Sequence, residues 1–176
     1  LRIFLDSSTM ESIDDCPAFG LDSWPWTMEN TLTYLPVVET DRDRLFDLHK
    51  VSLGPDVEKL FGWEDDRQRR LFNQQFTSKN CYWICTNQFR LGVVSYQIYP
   101  DHWYLERIAI YPGLQRQGYG SQVIGDIIAQ ADEKGLPVEL QVFKINPAIA
   151  LYERLGFAQI GETDFHIQLR RSPKSP

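Results

Sequence analysis

The sequence predicts a mixed α/β domain of the α+β type. Short runs rich in Val, Ile, Tyr and Trp read as strands, and stretches of 3.6-residue apolar periodicity between them read as helices. Their order is β-α-α-β-β-β-α-β-α-β-β, which is not the regular alternation of a wound parallel sheet. At 176 residues, 43% of them hydrophobic and 24% charged, the chain suits one soluble globular core. No apolar run approaches the ~20 residues of a membrane helix. A net charge of −6 argues against general nucleic-acid binding, which draws on Lys and Arg.

Residues 1–27 carry Asp6, Glu11, Asp14, Asp15 and Asp22 against the single basic Arg2, and they lack the pattern of a secretory signal. They read as an extension whose role the sequence leaves open: an upstream addition, or an edge strand through Arg2 to Leu5. The main domain is expected over residues 28–176. Thr31 to Val38 reads as a strand. Thr40 or Asp41 can cap a short helix bearing Leu45, Phe46, Leu48 and His49, which Gly54-Pro55 is expected to break. A second helix is expected from about Glu64 to Phe76, with an acidic start that complements the helix dipole.

Strands follow near Asn80 to Thr86, Phe89 to Tyr99 and Trp103 to Ile110, joined by turns short enough for antiparallel hairpins. Val123, Ile124, Ile127, Ile128 and Ala131 give one apolar face to a helix from about Tyr119 to Lys134, stopped by Gly135. Val138 to Phe143 is a strand. Asn146-Pro147 opens a helix that ends at Gly156, and strands at Phe157 to Ile160 and Phe165 to Leu169 complete the fold. The cysteines are three: Cys16, Cys81 and Cys85. The last two stand ~13 Å apart on a strand, too far for a disulfide, and no second pair offers a metal site. They fit buried thiols in a reducing cytoplasm. His49, His102 and His166 are scattered without ligand spacing, so no metal is expected.

Chemistry is concentrated at Gln115-Arg116-Gln117-Gly118-Tyr119-Gly120-Ser121, between a strand and a helix. Glycines there let main-chain N–H groups approach an anion, and the helix N-terminus favours negative charge. A phosphate or pyrophosphate is the natural ligand; a plain turn into a helix is the alternative. A dinucleotide fingerprint would need glycine where Val123 stands, and no Gly-Lys-Ser/Thr is present.

This Gln-x-x-Gly-x-Gly pattern, the preceding Leu105-Glu106-Arg107-Ile108-Ala109-Ile110 and the following Asn146 with Leu151-Tyr152-Glu153-Arg154-Leu155-Gly156-Phe157 together resemble the GNAT superfamily of acetyl-CoA-dependent N-acetyltransferases. The resemblance covers about Leu32 to Arg170. It implies a mostly antiparallel mixed sheet with splayed central strands and flanking helices, and transfer of acetyl from acetyl-CoA to a primary amine of a small molecule or peptide. It implies that main-chain groups of Ile108, Ala109 and Ile110 bind the pantetheine, that Gln115 to Ser121 hold the pyrophosphate, and that Asn146 and Tyr152 contact the cofactor. Tyr152 would protonate the departing thiolate, unless it is a packed helix tyrosine. Glu106 would accept the amine proton, unless it is a surface carboxylate paired with Arg107; His166 is the alternative acceptor. Phe61 and Trp63 would wall the acceptor site, or else form aromatic core. Another acyl-CoA as donor, or a CoA-binding module without catalysis, are the competing readings. The expected partners are an amine substrate and a second copy of the chain in a homodimer, with neither nucleic acid nor membrane.

Overall fold

The computed structural model describes residues 31–87 and 89–174, so the expectations for residues 1–27 lie outside the described residues. The elements are β1 (Thr33–Pro36), α1 (Arg42–Phe61), α2 (Asp65–Gln75), β2 (Cys81–Cys85), β3 (Arg90–Ile98), β4 (Trp103–Ile110), α3 (Tyr119–Glu133), β5 (Val138–Phe143), α4 (Ile149–Arg154), β6 (Ala158–Glu162) and β7 (His166–Arg171). This is the predicted order. The strands form one seven-stranded sheet in the order β1-β2-β3-β4-β5-β7-β6. β4 and β5 pair in parallel, across the crossover that α3 supplies, and the other neighbours pair antiparallel.

The sheet separates two apolar clusters. Val123, Ile124, Ile127, Ile128 and Ala131 of α3 and Tyr152 of α4 pack on one face with Leu105, Ile110, Leu140 and Val142. Leu45, Phe46 and Leu48 of α1 and Phe72 of α2 pack on the other with Cys81, Trp83, Val93 and Ala109. Cys81 and Cys85 are buried free thiols, and burial pushes the Cys81 thiol up to about 11.

The expected break at Gly54-Pro55 does not occur: α1 runs through both residues. Proline forfeits one rung, the bond from residue 55 to the Val51 carbonyl, and Val51 is exposed, where water can serve that carbonyl. On the inner side Leu48, Gly54 and Val57 are all buried. A Cβ at Gly54 would stand 3.5 Å from the Trp63 ring, so the glycine lets Trp63 pack close. Tertiary burial outweighs the local breaking signal.

One irregularity shapes the centre of the sheet. β3 and β4 pair as Ser95↔Arg107 and then Tyr96↔Leu105, which leaves Glu106 as the extra residue of a bulge. β4 and β5 pair as Trp103↔Val138, Tyr104↔Glu139 and Leu105↔Leu140, and no further. A bulge bends its strand and increases its twist. β4 turns away from β5 at the residue where the bulge sits, and the remainders of the two strands part.

β3 and β4 are packed backbone to backbone at Gly92, where a Cβ would lie 1.9 Å from the Ala109 carbonyl oxygen. Gly92→Ala should therefore destabilise the fold by about 3 kcal/mol or more, the upper range for overpacking. Gly125 lies in α3, and a Cβ there would meet nothing within 4 Å, so Gly125→Ala should stabilise by about 0.5–1 kcal/mol. Urea denaturation of both variants checks the pair; an unaffected Gly92→Ala protein would contradict the backbone contact.

Candidate active site

The segment between β4 and α3 is built around two left-handed residues, Arg116 with φ 62° and Gly118 with φ 90°. α3 starts at Tyr119, and no side chain caps it. The first-turn N–H groups of Tyr119, Gly120 and Ser121 have no acceptor within the helix and carry its positive dipole end. Gln115, Arg116, Gln117, Gly118 and Ser121 are exposed around them. Two glutamines fasten the loop instead of projecting from it: Gln115 Nε2 donates to the Ile110 carbonyl at 2.9 Å, and Gln117 Nε2 to the Gly113 carbonyl at 3.3 Å. A Cβ at Gly120 would meet only Leu151, at 3.7 Å. The cradle is thus main chain, open and electropositive, which suits a pyrophosphate.

The loop borders the gap between β4 and β5. The Tyr111 N–H donates to the Leu91 carbonyl at 2.9 Å, which continues the β3 ladder. In an antiparallel ladder the bonding direction alternates. Ala109 therefore also faces β3, as the close approach of its carbonyl to Gly92 shows. The main-chain groups of Ile108 and the N–H of Ile110 point the other way, into the gap, while the Ile110 carbonyl is taken by Gln115. Of the three residues named from the sequence, two present main chain to the opening and one belongs to the ladder.

Tyr152 sits in α4 in the same cluster as Ile110 and Val142, which stand on the two separated strand ends. It is buried, with its ring edge against Phe157 at 5.7 Å. Among the described residues its hydroxyl has no hydrogen-bond partner. Burial pushes the phenol up to about 12, so it holds its proton throughout the neutral range. Asn146 is committed within the protein. Its side-chain oxygen accepts from the Ala148 N–H at 2.9 Å, and its amide donates to Asp56 of α1 at 2.9 Å. It fastens the start of α4 to the helix on the opposite face.

Glu106 occupies the bulge, exposed, and accepts a bond from Gln97 at 3.3 Å. It does not pair with Arg107, whose guanidinium lies over the Phe72 ring at 5.2 Å. His166 stands across the gap on β7, opposite Phe143 of β5. Its ring stacks on Phe143 at 4.4 Å, and partial burial lowers its pKa, so the imidazole is neutral and able to accept a proton. Phe61 and Trp63 are separated. Phe61, exposed at the end of α1, meets Phe165 at 4.7 Å and Phe143 at 6.3 Å. Trp63 turns inward against Phe46 and His49, with its indole N–H donated to Asp65. The aromatic wall is therefore Phe61, Phe143, Phe165 and His166. Sequence reasoning had two of its members. The Phe165-His166 pair opposite Phe143 becomes visible only once the β5–β7 register is known. Among the described residues no group of three or more His, Cys, Asp or Glu is arranged to hold a metal ion.

Comparison with known proteins agrees with this geometry. A model of the acetyltransferase (GNAT) family matches residues 42–157. A ribosomal protein bS18-alanine N-acetyltransferase from Haemophilus influenzae is 36% identical over 89 residues, covering 50% of this chain and 60% of that protein. The chain thus matches under two thirds of that relative's length. In structure the chain is similar to the PaiA N-acetyltransferase of Thermoplasma acidophilum, solved with coenzyme A (TM-score 0.67, 11% identity, 81% of this chain and 99% of that one). It is also similar to the ribosomal-protein-S18-alanine N-acetyltransferase of Escherichia coli (TM-score 0.61, 22% identity, 83% and 96%). At these identities the structural matches establish the fold.

Gly120→Asp tests the cradle. The new Cβ has room, so the protein should fold, while a carboxylate enters the site intended for phosphates. Calorimetric affinity for CoA should fall at least about tenfold, the cost of ~1.4 kcal/mol of repulsion. Unchanged affinity in the folded variant would place the pyrophosphate elsewhere.

Proposed function

The chain belongs to the GNAT acetyltransferase family, and from that membership we propose that it transfers an acetyl group from acetyl-CoA to a primary amine by direct attack in a ternary complex. The observation that carries this reading is the parting of β4 from β5 beside an uncapped helix N-terminus. A gap edged by free main chain accepts an extended amide-bearing arm, and the helix start accepts its phosphates.

Acetyl-CoA supplies the acyl group as an activated thioester. The chain's residues supply position and protons. The loop from Gln115 to Ser121 anchors the diphosphate end, with Arg116 as its cation. The Ile108 and Ile110 N–H groups face the gap and can donate to carbonyl oxygens of the pantetheine arm and of the thioester. Donors fixed in advance stabilise negative charge that grows on such an oxygen. Asn146 serves here by holding α4, and through it Tyr152, against the rest of the site.

The acceptor approaches from the α1 and α2 face. Its amine must be neutral to attack, and lysine-type amines have pKa ~10.4. Glu106 takes the proton, directly or through water; His166, neutral on the opposite bank, is the other candidate. The nitrogen lone pair forms the new N–C bond, the C–S bond breaks, and the sulfur takes the proton of Tyr152. Phe61, Phe143 and Phe165 offer an apolar wall to whatever flanks the amine. The similarity to a ribosomal protein bS18-alanine N-acetyltransferase supports an alanine amine of a protein or peptide as one acceptor class to assay.

Tyr152→Phe should lower kcat by about 10²–10⁴-fold, with CoA affinity nearly unchanged, because the phenol is needed only as the thiolate leaves. The sign of the pH effect follows from burial. A phenol raised to about 12 keeps its proton at higher pH than an ordinary tyrosine. The wild-type rate should therefore show no alkaline decline from this group below about pH 10. Glu106→Gln should lower the rate near neutral pH, and its deficit should shrink as pH rises and free amine accumulates. Thiol release followed across pH for the three proteins tests both roles. A wild-type profile from the Glu106→Gln enzyme would transfer the base role to His166.

A further inference from the structure

Beside the gap, on the α1 and α2 face, lies a group of polar side chains that the proposed chemistry does not use. Arg107 is the β4 residue between the bulge and Ile108. Its cross-strand partner on the same face is Ser95, which is buried, and Ser95 in turn pairs with Cys81 of β2. His49 reaches this row from α1. The Phe72 ring lies between the two elements, 5.5 Å from the His49 ring and 5.2 Å from the Arg107 guanidinium.

Arg107 feels its nearest counter-charge, the Glu106 carboxylate, only without direct contact. Among the described residues Arg107 makes no ion pair, and neither Ser95, Arg107 nor the His49 ring has a hydrogen-bond partner. The neighbouring Glu106 carboxylate is engaged by Gln97. His49 and Cys81 provide no anion. Burial, assisted by Arg107, lowers the imidazole to about 4, and burial raises the thiol to about 11. Both are neutral at physiological pH. A guanidinium withdrawn from water without a contacting carboxylate is expensive. Arg107 and His49 are nevertheless only half-buried, with the buried Ser95 beside Arg107. They form a half-buried seat with one positive charge, a hydroxyl and an imidazole, one residue along the strand from main chain that faces the gap.

We infer that Arg107, with Ser95 and His49, forms a seat for the carboxylate of the amine acceptor, so that the preferred acceptors are amino acids or other small amines that carry a carboxylate. This rests on the acetyltransferase reading above. A single guanidinium meets a carboxylate in a bidentate pair, and the charge matches a monoanion. The flanking hydroxyl and imidazole N–H can serve the carboxylate's remaining lone pairs. Arg107 and Ile110 are three residues apart along β4, or about 10 Å of strand. The seat therefore lies within one small acceptor's length of the reacting carbon.

The test is an acceptor panel with acetyl-CoA: α-amino acids and short ω-amino acids, each against its own carboxamide, compared at equal concentrations of free amine. The wild type should prefer the acid by about 10- to 100-fold in kcat/KM, mostly through KM, the size of a charge-assisted hydrogen bond. Butanoate should compete with the acceptor, and butanamide should not. Arg107→Gln should bring the acid down to the level of its carboxamide, with partial recovery in Arg107→Lys. Carboxamides as good as acids in the wild type, or an Arg107→Gln enzyme that loses both equally, would overturn the seat. Should Arg107→Gln fail to fold, the wild-type acid-to-carboxamide ratio and the competition by butanoate decide alone. A folded protein that binds CoA yet acetylates neither kind of amine would overturn the acetyltransferase reading, and the seat with it.

Discussion

Everything at the centre of this molecule depends on β4 leaving β5 after Leu105. A sheet strand normally spends both edges of its backbone on neighbours, because unpaired N–H and C=O groups withdrawn from water are costly. β4 spends one edge on β3 along its whole length and the other on β5 for three residue pairs only. The bulge at Glu106 enforces this: it shifts register, bends the strand and ends the parallel pairing at once. What would have been an ordinary interior strand thereby gains a free edge in the middle of the sheet, where solvent or an extended ligand can reach it.

That edge joins two faces with different characters. On the α3 and α4 face the gap meets an electropositive helix start and a tyrosine whose burial keeps its proton in place. On the α1 and α2 face it meets exposed aromatic rings, the bulge carboxylate and an unpaired arginine. The proposed donor and acceptor thus enter from opposite sides and meet where the sheet is interrupted. Asn146, bonded to Asp56 across the interruption, fixes the distance between the sides.

Much of this was legible in the chain because its punctuation is strong. Glycines, prolines and alternating apolar runs marked the element order, and the Gly118-x-Gly120 turn marked the helix start. The readings that differed from the structure have separate physical causes. Gly54-Pro55 reads as a helix break by local rules, but the burial of Leu48, Gly54 and Val57 against the sheet overrides them. Phe61 and Trp63 are two residues apart in sequence, yet the left-handed Gly62 between them sends one outward and the other inward. Ala109 reads as equivalent to Ile108 and Ile110, but strand alternation gives its main chain to β3. The convergence of Ser95, Arg107 and His49 depends on a bulge-shifted register and a helix docked above it, and no local pattern encodes either.

The missing rung at Pro55 has a mechanical meaning for α1. The stretch before it is clamped to α2 by Lys50–Asp65 at 2.7 Å and Arg69–Asp43 at 2.5 Å. The stretch after it bears Asp56, tied to Asn146, and ends in Phe61 against the aromatic cluster. A helix is least stiff where a rung is absent. α1 is therefore two levers on one axis, one belonging to the α-helical layer and the other to the rim of the gap. Selection can re-aim the outer lever, and with it the reach of the rim, while the packing of Leu45, Phe46 and Leu48 beneath the inner one stays as it is.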